Sequence, residues 1–297
     1  MKIGMIGIGL MGHGIASNLL KHGHSLTVLE HSGNQPLDAL LAAGAHTAST
    51  PKAVAQQAEL VILCVTGSPQ VEAVLMGEVG VLKGLAKGSI VIDCSTAVPS
   101  STEKIAQAVR AAGGEFLDSP MTRTPKEAAE GRLNLLVGGD AALFEKCLPV
   151  LRCFAENISH VGKIGAGHRM KLLHNYVSLG CIALISEAAA CALGDGIAPE
   201  VFIDVLAKGG GGGMALDRLR PQLLEGDPGA LRFAMSNAFK DLGYFTTMAK
   251  DSEAVHRIAD AVMQTFESAI MQSGPDTFVP QLVNLLQHSG GMTATTH

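Results

Sequence analysis

The feature that most constrains this chain is a set of glycines near its first residue. Gly7-x-Gly9-x-x-Gly12 follows directly on the apolar segment Ile3–Ile6 and opens a helical pattern that runs to about His22. In a chain with 35 glycines the spacing alone says little, and the strand before it and the helix after it are what make it specific. Gly7 permits a tight turn, Gly9 lets backbone approach a pyrophosphate, and Gly12 lets the helix lie close on the strand. Leu10 and Met11 fall in the first helical turn, where unpaired N–H groups and the positive end of the helix dipole favour phosphate. A dinucleotide is the expected ligand. The next apolar segment, Leu26–Leu29, ends at Glu30, about 20 residues past the glycines, where a carboxylate accepts from adenosine ribose hydroxyls and repels a 2′-phosphate. NAD is therefore expected, with NADP less favoured. The bland alternative is that Glu30 only ends a strand in solvent, and His31 and Ser32 beside it offer a phosphate some accommodation.

Further apolar segments at Leu60–Val65 and Ile90–Asp93, with amphipathic stretches between, give the rhythm of strand–helix–strand units and hence a parallel sheet. Glu115–Leu117, Leu133–Val137 and Ile158–Val161 read as additional strands, with Asp140 capping a helix over Ala141–Leu151. From Gly165 the strand signals stop, and helical patterns follow at Gly167–Leu193, Pro199–Ala207, Met214–Leu224, Asn237–Lys250, Ser252–Gln272 and Val279–Gln287. The expected fold is α/β: a doubly wound parallel sheet of the Rossmann type over residues 1–162, then an all-helical domain over 163–297 for substrate binding and oligomerisation. The glycine run Gly209–Gly213 reads as a flexible connection between helices, because no strand precedes it.

Composition narrows the function. A net charge of -5 and an aromatic content of 4% give nucleic acid neither a basic surface nor stacking platforms. Six cysteines without a Cys-x-x-Cys pair read as small buried hydrophobes in a reducing compartment, so the cytoplasm is expected and no metal. The glycines near the N-terminus break any export signal. The apolar stretch Tyr176–Leu193 contains Glu187 and reads as a buried core or interface helix rather than a membrane span.

Three more motifs complete the pattern: Asp93-Cys-Ser95-Thr96-x-x-Pro99 after a strand, Gly165-x-Gly167-x-x-x-Lys171-x-x-His174-Asn175 at the start of the long helix, and Lys240-Asp241-Leu242. Together with the glycine loop they resemble the β-hydroxyacid dehydrogenases, the family of 3-hydroxyisobutyrate dehydrogenase, over essentially the whole chain. The resemblance implies an active site between the two domains, a homodimer or homotetramer, and Lys171 as general acid/base. Lys171 and Asn175 stand four apart and so share one helix face. In the family the lysine protonates a carbonyl oxygen as hydride arrives from the nicotinamide, and Asn175 orients the substrate hydroxyl. Thr96 and Lys240 are implied to line the cofactor side, as is the backbone at Val65–Thr66, read as a strand end. His174 stands where the family usually has a second asparagine; contact with the substrate's distal group and a packed core histidine are equal readings.

A second departure lies at Asp118-Ser-Pro120-Met-Thr122-Arg123-Thr124, where most members show Ser-Gly-Gly. Arg123 brings a fixed charge and a bidentate fork suited to carboxylate, phosphate or sulfonate, in place of bare N–H groups. The alternative is a surface pair with Glu127 or Glu130. The Arg-Thr version, the segment Lys171–Ser178 and the tail Gly290-Gly-Met292-Thr293 are most similar to members acting on 3-sulfolactaldehyde or γ-hydroxybutyrate, which implies Thr122, Arg123, Thr124, His174 and Ser178 as substrate contacts. The expected reaction is NAD-dependent reduction of a small anionic semialdehyde to its hydroxy acid, or the reverse. Tartronate semialdehyde or 3-hydroxyisobutyrate is the alternative substrate, and a non-catalytic NADH-binding regulator the alternative function.

Overall fold

The structure, a computed structural model, describes residues 1–289, so the tail motif at 290–293 lies outside the described residues. The chain divides into two compact units, Met1–Lys171 and Leu172–His297.

In the first unit β1 (Lys2–Ile6) leads into α1 (Leu10–Lys21), then β2 (Ser25–Leu29), α2 (Asp38–Ala42), β3 (His46–Ala48), α3 (Pro51–Gln56), β4 (Leu60–Leu63) and α4 (Ser68–Met76). After these come β5 (Ile90–Asp93), α5 (Pro99–Ala111), β6 (Glu115–Asp118), β7 (Met121–Thr122), α6 (Pro125–Glu130), β8 (Leu133–Gly138), α7 (Ala141–Leu151) and β9 (Ala155–Gly162). One sheet holds them in the order β3-β2-β1-β4-β5-β6-β8-β7, with β9 paired to β8. From β3 to β6 all pairings are parallel, which is the strand order of a doubly wound dinucleotide-binding sheet. At the far side β8 runs antiparallel to β6 and β7 and parallel to β9, an extension of the parallel Rossmann-type sheet that the sequence led us to expect.

The near-continuous apolar strands are explained by burial on both faces. Ile3 and Met5 of β1, Leu60 and Ile62 of β4, and Ile90 and Ile92 of β5 enter one core, while Ile6, Val61, Leu63 and Val91 enter the core on the opposite face. The two strands absent from the sequence reading, β3 and β7, have three and two residues, too few to show a period. The Asp140 cap is present: its carboxylate accepts the Leu143 N–H at 2.9 Å.

The second unit is helical. It contains the run of α8 (Ala166–Gly194) beyond Lys171, then α9 (Pro199–Lys208), α10 (Met214–Glu225), α11 (Met235–Asp251), α12 (Arg257–Ser273) and α13 (Leu282–Ser289). Ile182, Leu219, Met235, Phe266 and Leu282 are central to its core. Residues Gly209–Gly213 join α9 to α10. Helix α12 begins later than its apolar pattern suggests, because the Ser252 hydroxyl bonds back to the Met248 carbonyl at 2.9 Å and ends α11, and Glu253 turns at φ 53°. Helix α8 is long and apolar enough by length and composition to cross a membrane. It buries Leu172, Leu179, Ile182 and Ala189, while Leu173, Val177 and Leu184 are exposed. The cysteines are free, but Cys181 and Cys191 are exposed, unlike the buried hydrophobes the sequence suggested.

One contact fixes the position of α6. A Cβ on Gly14 of α1 would stand 2.6 Å from the Ala128 carbonyl carbon, and next to it the Asn18 amide donates to the Ala128 and Ala129 carbonyls at 2.9 and 3.2 Å. Since backbone faces backbone here, Gly14→Ala must push the helices apart, and overpacking of this kind costs about 1–3 kcal/mol. The melting temperature of Gly14→Ala is expected to fall by about 2–4 °C for each kcal/mol lost; an unchanged value would show that α6 is not seated by this contact.

Candidate active site

The four parallel strands β1, β4, β5 and β6 end in one register row, Ile6–Leu63–Asp93–Asp118, and the chain leaves the sheet there into the segments singled out by sequence. At β1 the chain turns through Gly7, whose φ of 96° and whose missing Cβ, which would lie 2.2 Å from the Cys64 carbonyl oxygen, leave room for no other residue. Gly12 is as constrained: its Cβ would meet the Gly7 carbonyl oxygen at 2.0 Å. Gly9 caps α1 in extended conformation without a side-chain cap, and the space where its Cβ would stand has nothing within 4 Å. An open backbone surface beside the first-turn amides of Leu10, Met11 and Gly12 is the shape a pyrophosphate needs, so these residues fit a dinucleotide.

Glu30 is the first residue past β2, exposed, with its N–H on the Ala48 carbonyl at 2.9 Å. The loop after it is fastened to the glycine turn by a residue the sequence reading passed over. Asn34 accepts the Ile8 N–H at 3.3 Å and donates to the Leu29 carbonyl at 2.9 Å, and the Gln35 N–H bonds the Ile8 carbonyl at 2.7 Å. Val65 and Thr66 lie just beyond β4, which ends at Leu63, rather than within the strand. The Val65 N–H is held by Ser95 Oγ at 3.0 Å, which joins that loop to the one bearing half-buried Thr96. Burial, helped by the charge of Asp93, pushes the Cys64 thiol up to about 12, so no thiolate stands beside the glycine turn.

The first turn of α8 is pinned at the same row. Asp118 accepts the Gly165 N–H at 2.8 Å and the His168 N–H at 2.9 Å, and burial raises its carboxyl against the opposing influence of His168 and these two bonds. Lys171 follows, half-buried, in the next turn.

Further along α8, in the second unit, Asn175 is buried. Its amide donates to Asp241 Oδ2 at 2.6 Å and its oxygen lies 3.0 Å from His174 Nδ1. His174 itself is exposed, and Ser178 is half-buried on the face of Asn175. Lys240 Nζ stands 3.3 Å from Asp241 Oδ1 and 5.6 Å from the centre of the Tyr244 ring. The lysine and Asp241 form an ion pair, and Oδ1 is a buried oxygen with no hydrogen-bond partner among the described residues. Asp241 was visible only as the middle of the Lys-Asp-Leu motif; its bond to a residue 66 positions away was not.

The Thr122–Thr124 segment stands at the β7 end. The Thr122 hydroxyl accepts from the Asn134 amide at 3.1 Å. Thr124 caps α6, giving its hydroxyl proton to Glu127 at 2.6 Å and its N–H to the same oxygen at 3.0 Å, and the hydroxyl bond holds the Glu127 carboxyl below the usual range. Between them Arg123 has φ 81°, a left-handed conformation that glycine adopts readily and arginine rarely. Its guanidinium pairs with Glu156 and donates to the Arg132 carbonyl, both through Nη1, rather than with Glu127 or Glu130.

The chain is similar to known proteins in sequence and fold. Residues 2–162 match the family model described as the NAD binding domain of 6-phosphogluconate dehydrogenase, and residues 165–286 match that described as the NAD-binding of NADP-dependent 3-hydroxyisobutyrate dehydrogenase. The chain is 32% identical to 2-(hydroxymethyl)glutarate dehydrogenase of Eubacterium barkeri over 90% of this chain and 88% of that one. It is 35% identical to NAD-dependent L-serine dehydrogenase of Pseudomonas aeruginosa over 88% of this chain and 86% of that one. A crystal structure of 3-hydroxyisobutyrate dehydrogenase from Salmonella typhimurium superposes with a TM-score of 0.82 at 27% identity, covering 96% of this chain and 99% of that one. With its dinucleotide turn and its Lys171–Asn175 helix, the chain belongs to the β-hydroxyacid dehydrogenase family related to 3-hydroxyisobutyrate dehydrogenase, and is an NAD(P)-dependent oxidoreductase of hydroxy acids.

Proposed function

We propose that the chain uses NADH to reduce a small semialdehyde bearing a terminal anion, or oxidises the corresponding hydroxy acid, with Lys171 exchanging the proton. The order of candidate substrates is 3-sulfolactaldehyde, succinic semialdehyde and tartronate semialdehyde, with 3-hydroxyisobutyrate the alternative. The observation that carries the reading is the seat of Lys171. It lies in the turn after the two N–H groups that Asp118 holds at the carboxyl end of β6, and the glycine turn follows the carboxyl end of β1, all within one compact unit.

A bound nicotinamide dinucleotide supplies a hydride to the carbonyl carbon or takes one from the alcohol carbon. The residues of the chain handle the rest. As an ammonium Lys171 gives a proton to the carbonyl oxygen while the carbon is reduced; as an amine it accepts the hydroxyl proton in the reverse direction. Asn175, with its amide already fixed between Asp241 and His174, has a further N–H with which to orient the substrate oxygen. Lys240, Thr96 and the Val65–Thr66 backbone attend the cofactor, and Glu30 its ribose. The names of the relatives fit an anionic substrate, since hydroxymethylglutarate and serine both carry carboxylates.

Among the substrate contacts Arg123 is assigned the anion. The hydroxyl proton of Thr124 is already given to Glu127, so that oxygen offers only lone pairs, and an anion gains nothing from them. Both Arg123 bonds use Nη1, which leaves the Nε and Nη2 edge of the guanidinium for a carboxylate or sulfonate. Thr122, His174 and Ser178 complete the assigned contacts with the substrate.

Lys171→Met is expected to lower kcat by about 10²–10⁴-fold with NADH binding retained; full turnover in that variant would end the reading. For the cofactor, NADH is expected to bind at least about tenfold more tightly than NADPH, and Glu30→Ala to narrow that gap. Equal affinities in the unaltered chain would remove Glu30 as a discriminator. Arg123→Ala is expected to raise KM for an anionic aldehyde by about tenfold to a hundredfold, with little change for a neutral aldehyde of the same size. Equal effects on the two would assign Arg123 to its pair with Glu156 alone.

A further inference from the structure

Asp93 and Asp118 are register partners at the ends of two adjacent parallel strands, and both side chains are wholly buried. Neighbouring strands lie about 4.8 Å apart, so two carboxylates are brought side by side out of water. The group that meets them is the His168 ring, also fully buried, with Nε2 3.8 Å from Asp93 Oδ2 and Nδ1 3.9 Å from Asp118 Oδ2. Neither distance is a hydrogen bond. The ring's hydrogen bonds go elsewhere: Nε2 to the Ser95 carbonyl at 3.1 Å, and Nδ1 to the Thr102 hydroxyl at 2.8 Å. A carbonyl only accepts, so Nε2 carries the proton in that bond. Thr102 has a second partner, the Val98 carbonyl at 3.2 Å, so its hydroxyl can face Nδ1 as donor or acceptor.

Ser95 is the hub on the cofactor side. Its N–H donates to Asp93 Oδ1 at 2.9 Å, its hydroxyl oxygen holds the Val65 N–H at 3.0 Å, and Thr96 follows it in the chain. The imidazole therefore joins the loops after β4 and β5 to the first turn of α8, and Lys171 is three residues further along that helix. We propose that His168 is a positioning residue: through the Ser95 carbonyl it keeps the start of α8 in register with the cofactor-side loops and so sets where the Lys171 amine stands. The proposal rests on the reading in which Lys171 exchanges the substrate proton. Misplacement of a reacting group by about 1 Å is enough to cost about a hundredfold in rate, so the effect is expected in kcat.

Two polar variants separate this from a general loss of packing. The amide N–H of His168→Gln extends far enough to replace Nε2 at the Ser95 carbonyl, whereas that of His168→Asn stops near the position of Nδ1 and falls short. With whichever of the three semialdehydes gives the highest kcat/KM, His168→Asn is expected to lower kcat about 100-fold and His168→Gln by less than about tenfold. In both, the NADH dissociation constant from fluorescence titration is expected to stay within about threefold, a shift under about 0.7 kcal/mol. Without any turnover, amide hydrogen exchange over residues 165–172 is expected to quicken in His168→Asn and to stay near the wild-type rate in His168→Gln. Equal kcat for the two variants overturns the proposal. So does a His168→Asn loss that comes with weakened NADH binding and faster exchange across the whole chain. Lys171→Met is measured alongside: turnover retained there rejects the role of the lysine, whereas turnover lost there but kept in His168→Asn rejects only the role of His168.

Discussion

Four strands end in one row, and the chemistry of the protein follows from where the chain goes next. Ile6, Leu63, Asp93 and Asp118 are register partners across β1, β4, β5 and β6. Hydrophobic burial on both faces of the sheet fixes that register, because a slip of one residue would turn Ile3, Met5, Leu60 and Ile62 out of their core and into the opposite one. With the row fixed, the glycine turn, the Val65–Thr66 loop, the Ser95–Thr96 loop and the start of α8 are delivered to the carboxyl ends of these strands. The two apolar ends of the row only pack. Its two acidic ends do more, since Asp118 takes the N–H groups of Gly165 and His168 and Asp93 takes that of Ser95.

The local parts of this arrangement were legible in the sequence, and the long-range parts were not. Gly7, Gly9 and Gly12 announce their turn because their spacing lies within six residues between a strand and its helix, and the Gly12 Cβ would strike the Gly7 carbonyl. The β5 strand and the Asp140-capped helix were readable for the same reason, since their signals are a short apolar run and a cap beside its own helix. His168 was not readable as a polar core residue. Its partners stand 50, 66 and 73 positions away, and nothing in the spacing of the chain joins them. Asn34 was likewise an ordinary loop amide until its bond to Ile8, 26 residues back, placed it behind the glycine turn. The α12 boundary was missed because the apolar pattern runs on from Ser252 while a serine hydroxyl ends the preceding helix.

Arg123 shows what a motif comparison alone leaves out. Reading an arginine where relatives carry glycine suggested a new charge for a substrate anion, and the obvious competing partners were the nearby Glu127 and Glu130. The left-handed backbone at Arg123 instead points the side chain to Glu156 on β9 and to the Arg132 carbonyl, while Glu127 is occupied with capping α6. An arginine kept in a glycine conformation costs backbone strain of about 1–3 kcal/mol, and the Glu156 pair offsets part of that cost. The same pair also partly neutralises the guanidinium. An anion bound there would meet a cation already shared with a carboxylate, which favours ligands that accept a bidentate fork over those that need only net positive charge.

The most direct test of the account follows the hydrogen itself. NADH carrying deuterium at the transferable C4 position would be incubated with the protein and, in turn, 3-sulfolactaldehyde, succinic semialdehyde and tartronate semialdehyde, and the hydroxy acid formed would be weighed by mass spectrometry. At least one of the three is expected to give a product that carries one deuterium in place of a hydrogen at the former carbonyl carbon. Tight binding of the dinucleotide with no labelled hydroxy acid from any of them would contradict it.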